Sequence, residues 1–280
     1  MPTTVDVVMI TYERPAYVRL SLPRLLESCD ADVRVWLWHN GDHAETLEVV
    51  SQYKDHPRVA AFHHSTQNVG LRAPTNWLWE NSTGDLVSKV DDDCLVDPHW
   101  ISRLRAVHAA NEKIGIAGSW RFYDEDYDKR ALRKVITLSN GEQLMRHPWV
   151  QGSGYLAKRA VIEDIGPLAD GQSFTQWCLA AARAGWINGW AFPFLHEEHM
   201  DDPRSPHTLY VDDDAFQRWQ PLSAKATGVQ TVAAWTEQMR RSARILQTWS
   251  ADPRHYSGWR NAARQLRRRA QRLLTGRQSW

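Results

Sequence analysis

The sequence predicts an α/β protein in which helices flank a mostly parallel sheet, with a helical extension at the C-terminal end. Three observations support this prediction. From about residue 5 to residue 90, apolar runs typical of strands alternate four times with segments whose apolar residues recur at helical spacing. The connections are short, which favours right-handed βαβ units and parallel strands. Beyond about Asp214 only the helical periodicity remains.

The first four strands are predicted where apolar and β-branched residues run together, at residues 5–10, 33–38, 59–62 and 86–90. Helices are expected between them, at residues 18–26, 44–53 and 74–82. Pro74 suits a first helical turn. Asn40-Gly41-Asp42 is a strong turn signal after the second strand.

The second half alternates less regularly. We expect a helix from Asp97-Pro98 to about Asn111, a strand at 114–119, and a loop with a hairpin around Asn140-Gly141 within the charged stretch 121–146. A strand at 153–157, helices at 158–164 and 173–184, and a last strand at 190–194 follow, with Gly185 as a helix C-cap. Helices at 231–249 and 256–274 form the extension. The predicted domains therefore span residues 1–214 and 215–280.

The composition is that of an ordinary globular protein with a large core: 280 residues, 42% hydrophobic and 24% charged. Cys29, Cys94 and Cys178 are far apart, so the sequence indicates neither a disulfide framework nor a thiolate metal site. There is no signal-like start, and no window approaches the ~18 apolar residues of a membrane span. We therefore expect a cytoplasmic protein.

Three carboxylates mark the candidate site. Asp91, Asp92 and Asp93 directly follow the fourth strand, which in a parallel sheet places them at the carboxyl edge where ligands bind. Adjacent carboxylates repel one another, and a bound cation relieves that repulsion. Mn²⁺ or Mg²⁺, which take oxygen ligands and share phosphate ligands, fit such a cluster. The alternative is a solvated acidic turn that caps the next helix.

Four short motifs occur in a specific order: Ile10-Thr11-Tyr12-Glu13-Arg14-Pro15, Trp38-His39-Asn40-Gly41, Asn68-Val69-Gly70 with Asn76, and Val90-Asp91-Asp92-Asp93. Their order and spacing resemble the nucleotide-binding half of glycosyltransferase family 2, which has the GT-A (Rossmann-like) fold. The resemblance covers roughly residues 5–200. It implies an inverting transfer of a hexosyl or pentosyl group from a nucleotide-sugar donor.

The resemblance also implies roles for individual residues. The nucleotide would be held by Thr11, Tyr12, Arg14, Asn40, Asn68, Gly70, Arg72, Asp91 and Asp92, and the metal by Asp93. Gly152, Ser153 and Gly154 match the glycine-rich stretch that closes over the donor sugar. The family usually has Asp at the end of the second strand. Here Asn40 offers hydrogen bonds to a uracil edge, so UDP is the favoured nucleotide.

Two histidines follow the last predicted strand, in His196-Glu197-Glu198-His199. The family can supply a histidine there as a further metal ligand. The resemblance therefore implies ligation by His199 and, after it, by His196. The alternative is a pair of solvated imidazoles in an acidic turn.

The family's general base is missing from its usual place. Family members commonly have Glu-Asp at the start of the helix that ends at Gly185, whereas this chain has Ser173-Phe174-Thr175-Gln176. Inverting transfer needs a carboxylate near the acceptor hydroxyl. We favour substitution by a nearby carboxylate: Asp170, Glu198 or Asp201, or their neighbours Glu197 and Asp202. The alternatives are that the family's motif is shifted along this chain, or that the chemistry needs no base at this position.

The C-terminal segment is basic, since eight arginines from Arg254 to Arg277 face no Asp or Glu after Asp252. Apolar residues recur at helical spacing from Trp259 to Leu274, which predicts a basic amphipathic helix. Such a helix fits peripheral contact with the anionic inner face of a membrane and a lipid-linked acceptor. It fits nucleic acid less well. The alternative is a helix packed against the acidic body.

The sequence therefore favours a metal-dependent glycosyltransferase whose acceptor is a glycan, a lipid-linked molecule or a small molecule. A sugar nucleotidyltransferase would share the sheet and the metal. It needs a glycine-rich phosphate loop after the first strand, however, and Thr11-Tyr12-Glu13-Arg14-Pro15 has no glycine. A non-catalytic nucleotide-binding module stays open because the base is missing.

Overall fold

The computed structural model describes residues 3–256. In chain order its elements are β1 (Val5–Thr11), α1 (Pro15–Glu27), β2 (Val33–Asn40), α2 (Ala44–Ser51), β3 (Val59–Ser65), α3 (Arg72–Asn81), β4 (Leu86–Asp91), β5 (Cys94–Val96), α4 (Trp100–Ala109), β6 (Ile114–Gly118), β7 (Val135–Thr137), β8 (Gln143–Arg146), β9 (Tyr155–Lys158), α5 (Arg159–Ile165), α6 (Phe174–Arg183), β10 (Ile187–Phe192), β11 (Glu197–His199), α7 (Asp213–Trp219), α8 (Leu222–Thr227) and α9 (Val232–Thr248). Short 3-10 helices lie at Asp124–Asp126, Lys129–Lys134 and Pro253–Tyr256.

A nine-stranded, mostly parallel sheet forms the centre of the molecule, in the order β3-β2-β1-β4-β9-β6-β10-β8-β7. β3, β2, β1 and β4 are parallel, with Ile10 opposite Asp91 and Thr11 opposite His39. β9 runs antiparallel between β4 and β6, so β6 and β10 point the same way as β4. The carboxyl ends of β1, β2, β4, β6 and β10 therefore share one edge, where ligands bind in such sheets.

Helices cover both faces of the sheet because successive side chains of a strand point to opposite faces. Met9 of β1 joins one buried cluster, which includes Leu22 of α1 and other side chains of α2 and α4. Val8 of β1 joins the second, with Trp177 of α6 and residues of α3. The predicted α/β architecture is confirmed.

The helices after Asp212 pack onto this body. Trp235 and Met239 of α9 are buried in the same apolar cluster as Trp177. The indole Nε1 of Trp235 donates a hydrogen bond to the backbone oxygen of Asp201, at 2.8 Å. Through this bond α9 supports the segment that follows β11, at the ligand-binding edge of the sheet.

Two strands were not expected from the sequence. β5 and β11 form a separate antiparallel pair in which His199 lies opposite Cys94 and Glu197 opposite Val96. The sequence indicated a loop at residues 196–199, because its polar residues show no apolar alternation. Pairing with a strand about a hundred residues earlier decides their conformation. β10 also begins at Ile187 rather than 190 and ends before Pro193, which has no amide hydrogen to donate.

The expected hairpin is present, with β7 and β8 joined around Gly141, whose φ of +88° suits glycine. Within residues 3–256 no helix is both long enough and apolar enough to cross a membrane. The predicted basic helix at 256–274 lies, apart from Tyr256, outside the described residues. The membrane and nucleic acid interpretations of that helix therefore stay predictions.

Candidate functional site

The loop after β1 is held in a strained conformation at the edge of the sheet. Glu13 and Arg14 have φ of +50° and +49°, a region that L-residues seldom occupy. The backbone N–H of Tyr12 donates to Asp92 Oδ2 at 2.8 Å. The Tyr12 ring lies beside Gly41, where a Cβ would be 3.4 Å from it. Tyr12 is therefore placed between the ends of β2 and β4.

Thr11 and Asn40 hold the loops around Tyr12 in place; the surface formed by Tyr12, Gly41 and the Gly70 loop is called the Tyr12 pocket below. The Thr11 hydroxyl is fully buried and bonds His39 Nδ1 at 2.9 Å. The Asn40 side chain accepts from Trp38 Nε1 at 2.9 Å and donates to the Gly70 oxygen at 3.0 Å. The Asn40 amide is thus already occupied, and this corrects the expectation that it reads a uracil edge. It fixes the loop that carries Gly70 instead.

The loop that carries Gly70 is fixed by its own side chain contacts. Asn68 Oδ1 accepts the Gly70 N–H at 2.9 Å, and Gly70 has a φ of +75°, with nothing within 4 Å of where a Cβ would stand. Arg72, at the start of α3, pairs with Asp170 at 3.1 Å. The Asp170 side chain is fully exposed to solvent. The structure therefore does not bring Asp170 to the Asp93 cluster.

The three aspartates after β4 have different partners. Asp91 pairs with Lys89, and its backbone N–H donates to Ser153 Oγ at 3.1 Å. Asp92 lies 3.3 Å from the Arg14 guanidinium, and burial raises the pKa of its carboxyl to about 7. For Asp93, burial is opposed by His199 and Arg14, which hold its pKa below the usual range. Of the three, Asp93 is the one whose pKa is lowered, so its carboxylate is ionised at neutral pH.

Asp93, Cys94 and His199 offer ligand atoms within 4.8 Å of one another, and they form a candidate metal site among residues 3–256, called the metal group below. His199 Nε2 lies 3.7 Å from Asp93 Oδ2, because β5 pairs with β11. Burial lowers the pKa of His199 to about 4, so its imidazole is neutral, as ligation requires. Burial raises the pKa of the Cys94 thiol, which donates to Asp93 Oδ1 at 3.3 Å.

A neutral imidazole beside an ionised carboxylate suits a divalent cation such as Mn²⁺. The buried Nδ1 of His199 has no hydrogen-bond partner in the described part of the chain. The other expected ligand, His196, lies elsewhere: its Nε2 is 3.0 Å from Asp124 Oδ1, and its side chain is partly exposed. The structure therefore groups His199, and not His196, with Asp93.

Arg14 links the metal group to α9. Its guanidinium lies 3.3 Å from Asp93 and 2.7 Å from Asp201. Asp201 also accepts a hydrogen bond from the Tyr210 hydroxyl, and its backbone oxygen is bonded by Trp235. Burial raises the pKa of Asp201 to about 7, although Arg14 opposes this. Asp201 is held in a buried ion pair, which does not suit a general base.

The glycine-rich segment contacts Glu197. Gly154 has a φ of +59°, and a Cβ there would lie 1.6 Å from Glu197 Oε2. Glu197 is 3% exposed, and its Oε2 is buried without a partner among the described residues. Burial raises the pKa of Glu197 to about 7. A Cβ on Gly152 would lie 3.9 Å from Lys89, so this segment also lies beside the Lys89–Asp91 pair.

The remaining carboxylates are bonded by neighbours. Glu198 accepts from the Ser205 hydroxyl at 2.6 Å and lies 2.8 Å from His207 Nδ1. Asp202 is held by Arg204, with Nε 2.9 Å from its Oδ1. Both bonds to Glu198 are made by its Oε1, and neither Glu198 nor Asp202 has a buried oxygen without a partner among the described residues, as Glu197 has.

The start of α6 carries no carboxylate, as the sequence indicated. Ser173 and Gln176 form a capping box that satisfies the first turn of the helix. The Phe174 ring stacks on Tyr155, with centroids 4.4 Å apart. An aromatic contact therefore occupies the place where family members commonly have their base.

A cleft of about 260 Å³ opens beside the metal group. It is lined by Arg121, Phe122, Tyr123, Asp124, His196, Glu197, Glu198, His199 and Pro206. Residues 121–124 follow β6. In the sheet β1 and β2 lie on one side of β4, and β6 lies on the other. The Tyr12 pocket and this cleft therefore lie on opposite sides of Asp93.

The described site matches a known family. The sequence model for glycosyl transferase family 2 matches residues 6–161. The fold is similar to that of the mannosyltransferase PcManGT from Pyrobaculum calidifontis, solved in complex with GDP-Man and Mn²⁺, at 16% identity and a TM-score of 0.57, over 98% of this chain and 81% of that one.

The fold is also similar to that of TarS from S. aureus, at 16% identity and a TM-score of 0.50. The match covers 67% of this chain and 34% of TarS, so the chain spans about a third of that protein. No curated protein matches the sequence. The family match covers more than half of the chain, and the two solved structures share its fold. The chain therefore belongs to glycosyl transferase family 2 and has the GT-A fold.

Proposed function

We propose that this glycosyltransferase is metal-dependent and inverting, and that it moves a sugar from a nucleoside diphosphate donor to an acceptor hydroxyl. The observation that carries the proposal is the grouping of Asp93 with His199 beside the Arg14 loop, between the Tyr12 pocket and the cleft. A donor in the pocket and an acceptor in the cleft would meet there.

The pocket formed by Tyr12, Gly41 and the Gly70 loop takes the nucleotide. UDP is the first candidate, as the resemblance to the family implied, although Asn40 stands here where the family usually has Asp. Since Asn40 is occupied by the protein, base recognition falls to the backbone of these loops and to Tyr12. The structurally similar PcManGT was solved with GDP-Man, so GDP-sugars are the second class of donor to be tested.

Asp93 and His199 would hold the cation. A nitrogen ligand favours Mn²⁺ over Mg²⁺, which prefers oxygen. When bound, the cation supplies a positive charge that stabilises the departing diphosphate. Arg14 keeps Asp92 and Asp201 in place around it.

Glu197 takes the proton of the acceptor hydroxyl. It lines the cleft and has an unbonded carboxylate oxygen, whereas Asp170 is exposed and Asp201 is paired with Arg14. Glu198, the third candidate from the sequence, is bonded by neighbouring side chains. The acceptor oxygen bonds to the anomeric carbon, its proton passes to the Glu197 carboxylate, and the nucleoside diphosphate leaves with the electron pair of the broken bond.

The test is to incubate the protein with Mn²⁺ and UDP-, GDP-, dTDP- or CMP-linked sugars and to assay free nucleotide. We expect slow, EDTA-sensitive release of UDP from one of the UDP-sugars. Release of GDP alone would show that the donor is a GDP-sugar and not a UDP-sugar. Pyrophosphate formed from a nucleoside triphosphate and a sugar phosphate would identify a nucleotidyltransferase. If there is no turnover and no metal-dependent nucleotide binding, a non-catalytic module remains and the proposal fails.

A further inference from the structure

Four of the residues that line the cleft beside the metal group carry a buried polar atom without a hydrogen-bond partner. These atoms are Arg121 Nε, Tyr123 Oη, Glu197 Oε2 and His199 Nδ1, each lacking a hydrogen bond within residues 3–256. Buried polar groups are almost always hydrogen-bonded, because leaving them unpaired costs free energy. Four such atoms around one cleft indicate a ligand that bonds them.

We propose that this cleft binds the acceptor and that the acceptor is the terminal sugar of a neutral carbohydrate. The inference rests on the proposed function, since it names the acceptor of that reaction. A hydroxyl both donates and accepts, so a ring bearing several hydroxyls matches this mixture of atoms. Arg121 Nε–H and the Tyr123 hydroxyl donate, and the Glu197 carboxylate accepts.

The charges of the cleft argue for a neutral ligand. Its lining carries one arginine, Arg121, against the three carboxylates Asp124, Glu197 and Glu198. His196 lies against Asp124 and His207 against Glu198, so two of these carboxylates are near an imidazole. A phosphorylated acceptor would still meet more negative than positive side chains, and like charges in a partly buried site repel strongly.

The cleft is large enough for a sugar ring. Its volume is about 260 Å³. Since one water-sized group needs roughly 10–15 Å³ of such volume, a sugar ring with its hydroxyls fits. A long lipid would also need a continuous apolar wall, whereas six of the nine lining residues carry a charged or imidazole side chain.

The position of the cleft fits the reaction. It lies across Asp93 from the Tyr12 pocket, and Glu197 and His199 line it. A terminal sugar in the cleft would place a hydroxyl next to Glu197.

The test compares Tyr123→Phe with Tyr127→Phe in the full chain. Both remove one phenolic hydroxyl, but Tyr127 is exposed and does not line the cleft. Binding is measured by saturation-transfer NMR in the presence of UDP and Mn²⁺. The probes are methyl glycosides of glucose, galactose and mannose, the disaccharides maltose and cellobiose, and, for comparison, glycerol 3-phosphate and farnesyl phosphate.

We expect at least one neutral sugar to bind and Tyr123→Phe to weaken its binding about fivefold, the usual effect of one lost hydrogen bond. Tyr127→Phe should bind like the wild type. The inference is overturned if an active protein binds none of the neutral sugars, if glycerol 3-phosphate or farnesyl phosphate binds instead, or if the two variants are equal.

A KM measurement separates acceptor from donor. Tyr123→Phe should raise the KM for the bound sugar more than the KM for the nucleotide sugar; the reverse would put the donor sugar in the cleft and overturn the inference. If the wild type releases no nucleotide from any donor and yet binds sugars in a Tyr123-dependent way, the proposed function fails while the cleft is still a carbohydrate site.

Discussion

Gly154 and Glu197 are packed so closely that no side chain fits between them. A Cβ added to Gly154 would lie 1.6 Å from Glu197 Oε2, and the Gly154 φ of +59° is itself unfavourable for other residues. The glycine-rich segment, which the resemblance assigns to the donor sugar, thereby contacts the carboxylate that we assign to the acceptor.

Gly154→Ala should lower transfer about a hundredfold, because a displacement of Glu197 by about 1 Å is enough for such a loss. Gly171→Ala is the control: Gly171 has a similar φ of +73°, but its Cβ would meet nothing within 4 Å. Both variants should lose about 1 kcal/mol of stability through backbone strain, and Gly154→Ala about 1–3 kcal/mol more through the overlap with Glu197. Nucleotide release and thermal unfolding are measured for both, and equal losses of activity would argue against the contact.

Glu197→Gln should lower transfer by about 10²- to 10⁴-fold, the usual contribution of a general base. Burial raises the pKa of Glu197 to about 7. Because the base must be ionised, the wild-type kcat/KM should fall as the pH falls through about 7. Glu198→Gln should keep this inflection and Glu197→Gln should lose it. If the pH profile of kcat/KM still shows this inflection in Glu197→Gln, the general base is another residue.

Asp93→Asn and His199→Ala should each weaken Mn²⁺ binding at least about tenfold, since both supply a ligand. His196→Ala should bind Mn²⁺ like the wild type, because His196 lies against Asp124. Burial lowers the pKa of His199 to about 4, so protons should compete with the cation only as the pH falls towards that value. A Mn²⁺ titration followed by electron paramagnetic resonance gives the affinities, and a stronger effect at His196 would refute the assignment.

Arg14→Met should destabilise the metal-free protein by about 3–5 kcal/mol near pH 8, because it leaves buried carboxylates unpaired. The pKa values of Asp92 and Asp201 are already raised to about 7 by burial, and Arg14 restrains the rise. Groups whose folded pKa is raised bind more protons when folded, so stability falls as pH rises from about 4 through 7. The loss in Arg14→Met should therefore be smaller at pH 5.

Urea unfolding in EDTA at pH 5 and pH 8 measures this difference. Arg19→Met, which breaks the exposed Arg19–Glu45 pair, is the control and should cost no more than about 1 kcal/mol at either pH. Equal destabilisation of Arg14→Met at both pH values would show that the carboxylates do not depend on Arg14.

A chain ending at Tyr256 should keep donor hydrolysis and lose binding to anionic liposomes. Tyr256 is retained because it is buried and its backbone oxygen accepts from Arg183 at 3.1 Å. The residues removed carry seven of the eight arginines predicted to contact a membrane. Co-sedimentation with phosphatidylserine vesicles measures the change. Unchanged binding would leave the arginines without a targeting role, and an insoluble product would favour the packed-helix interpretation.

The sequence by itself determined the regular part of the fold. Apolar runs and helical periodicity located β1 to β4, α1 to α3 and α9, because these elements bury faces whose period can be read locally. The same alternation placed Asp91, Asp92 and Asp93 at the ligand-binding edge. The residues at 173–176 also showed that α6 begins without a carboxylate. The match to the family model agrees with the resemblance that the motifs indicated.

Only the tertiary structure decided how the site is completed. β5 and β11 have no apolar alternation, so their pairing, and with it the approach of His199 to Asp93, depends on contacts between distant segments. The same contacts also give Glu197 and Glu198 different surroundings, because successive residues of a strand point to opposite sides. Only the neighbouring side chains show that Glu197 has a buried oxygen without a partner among the described residues, whereas Glu198 is bonded by Ser205.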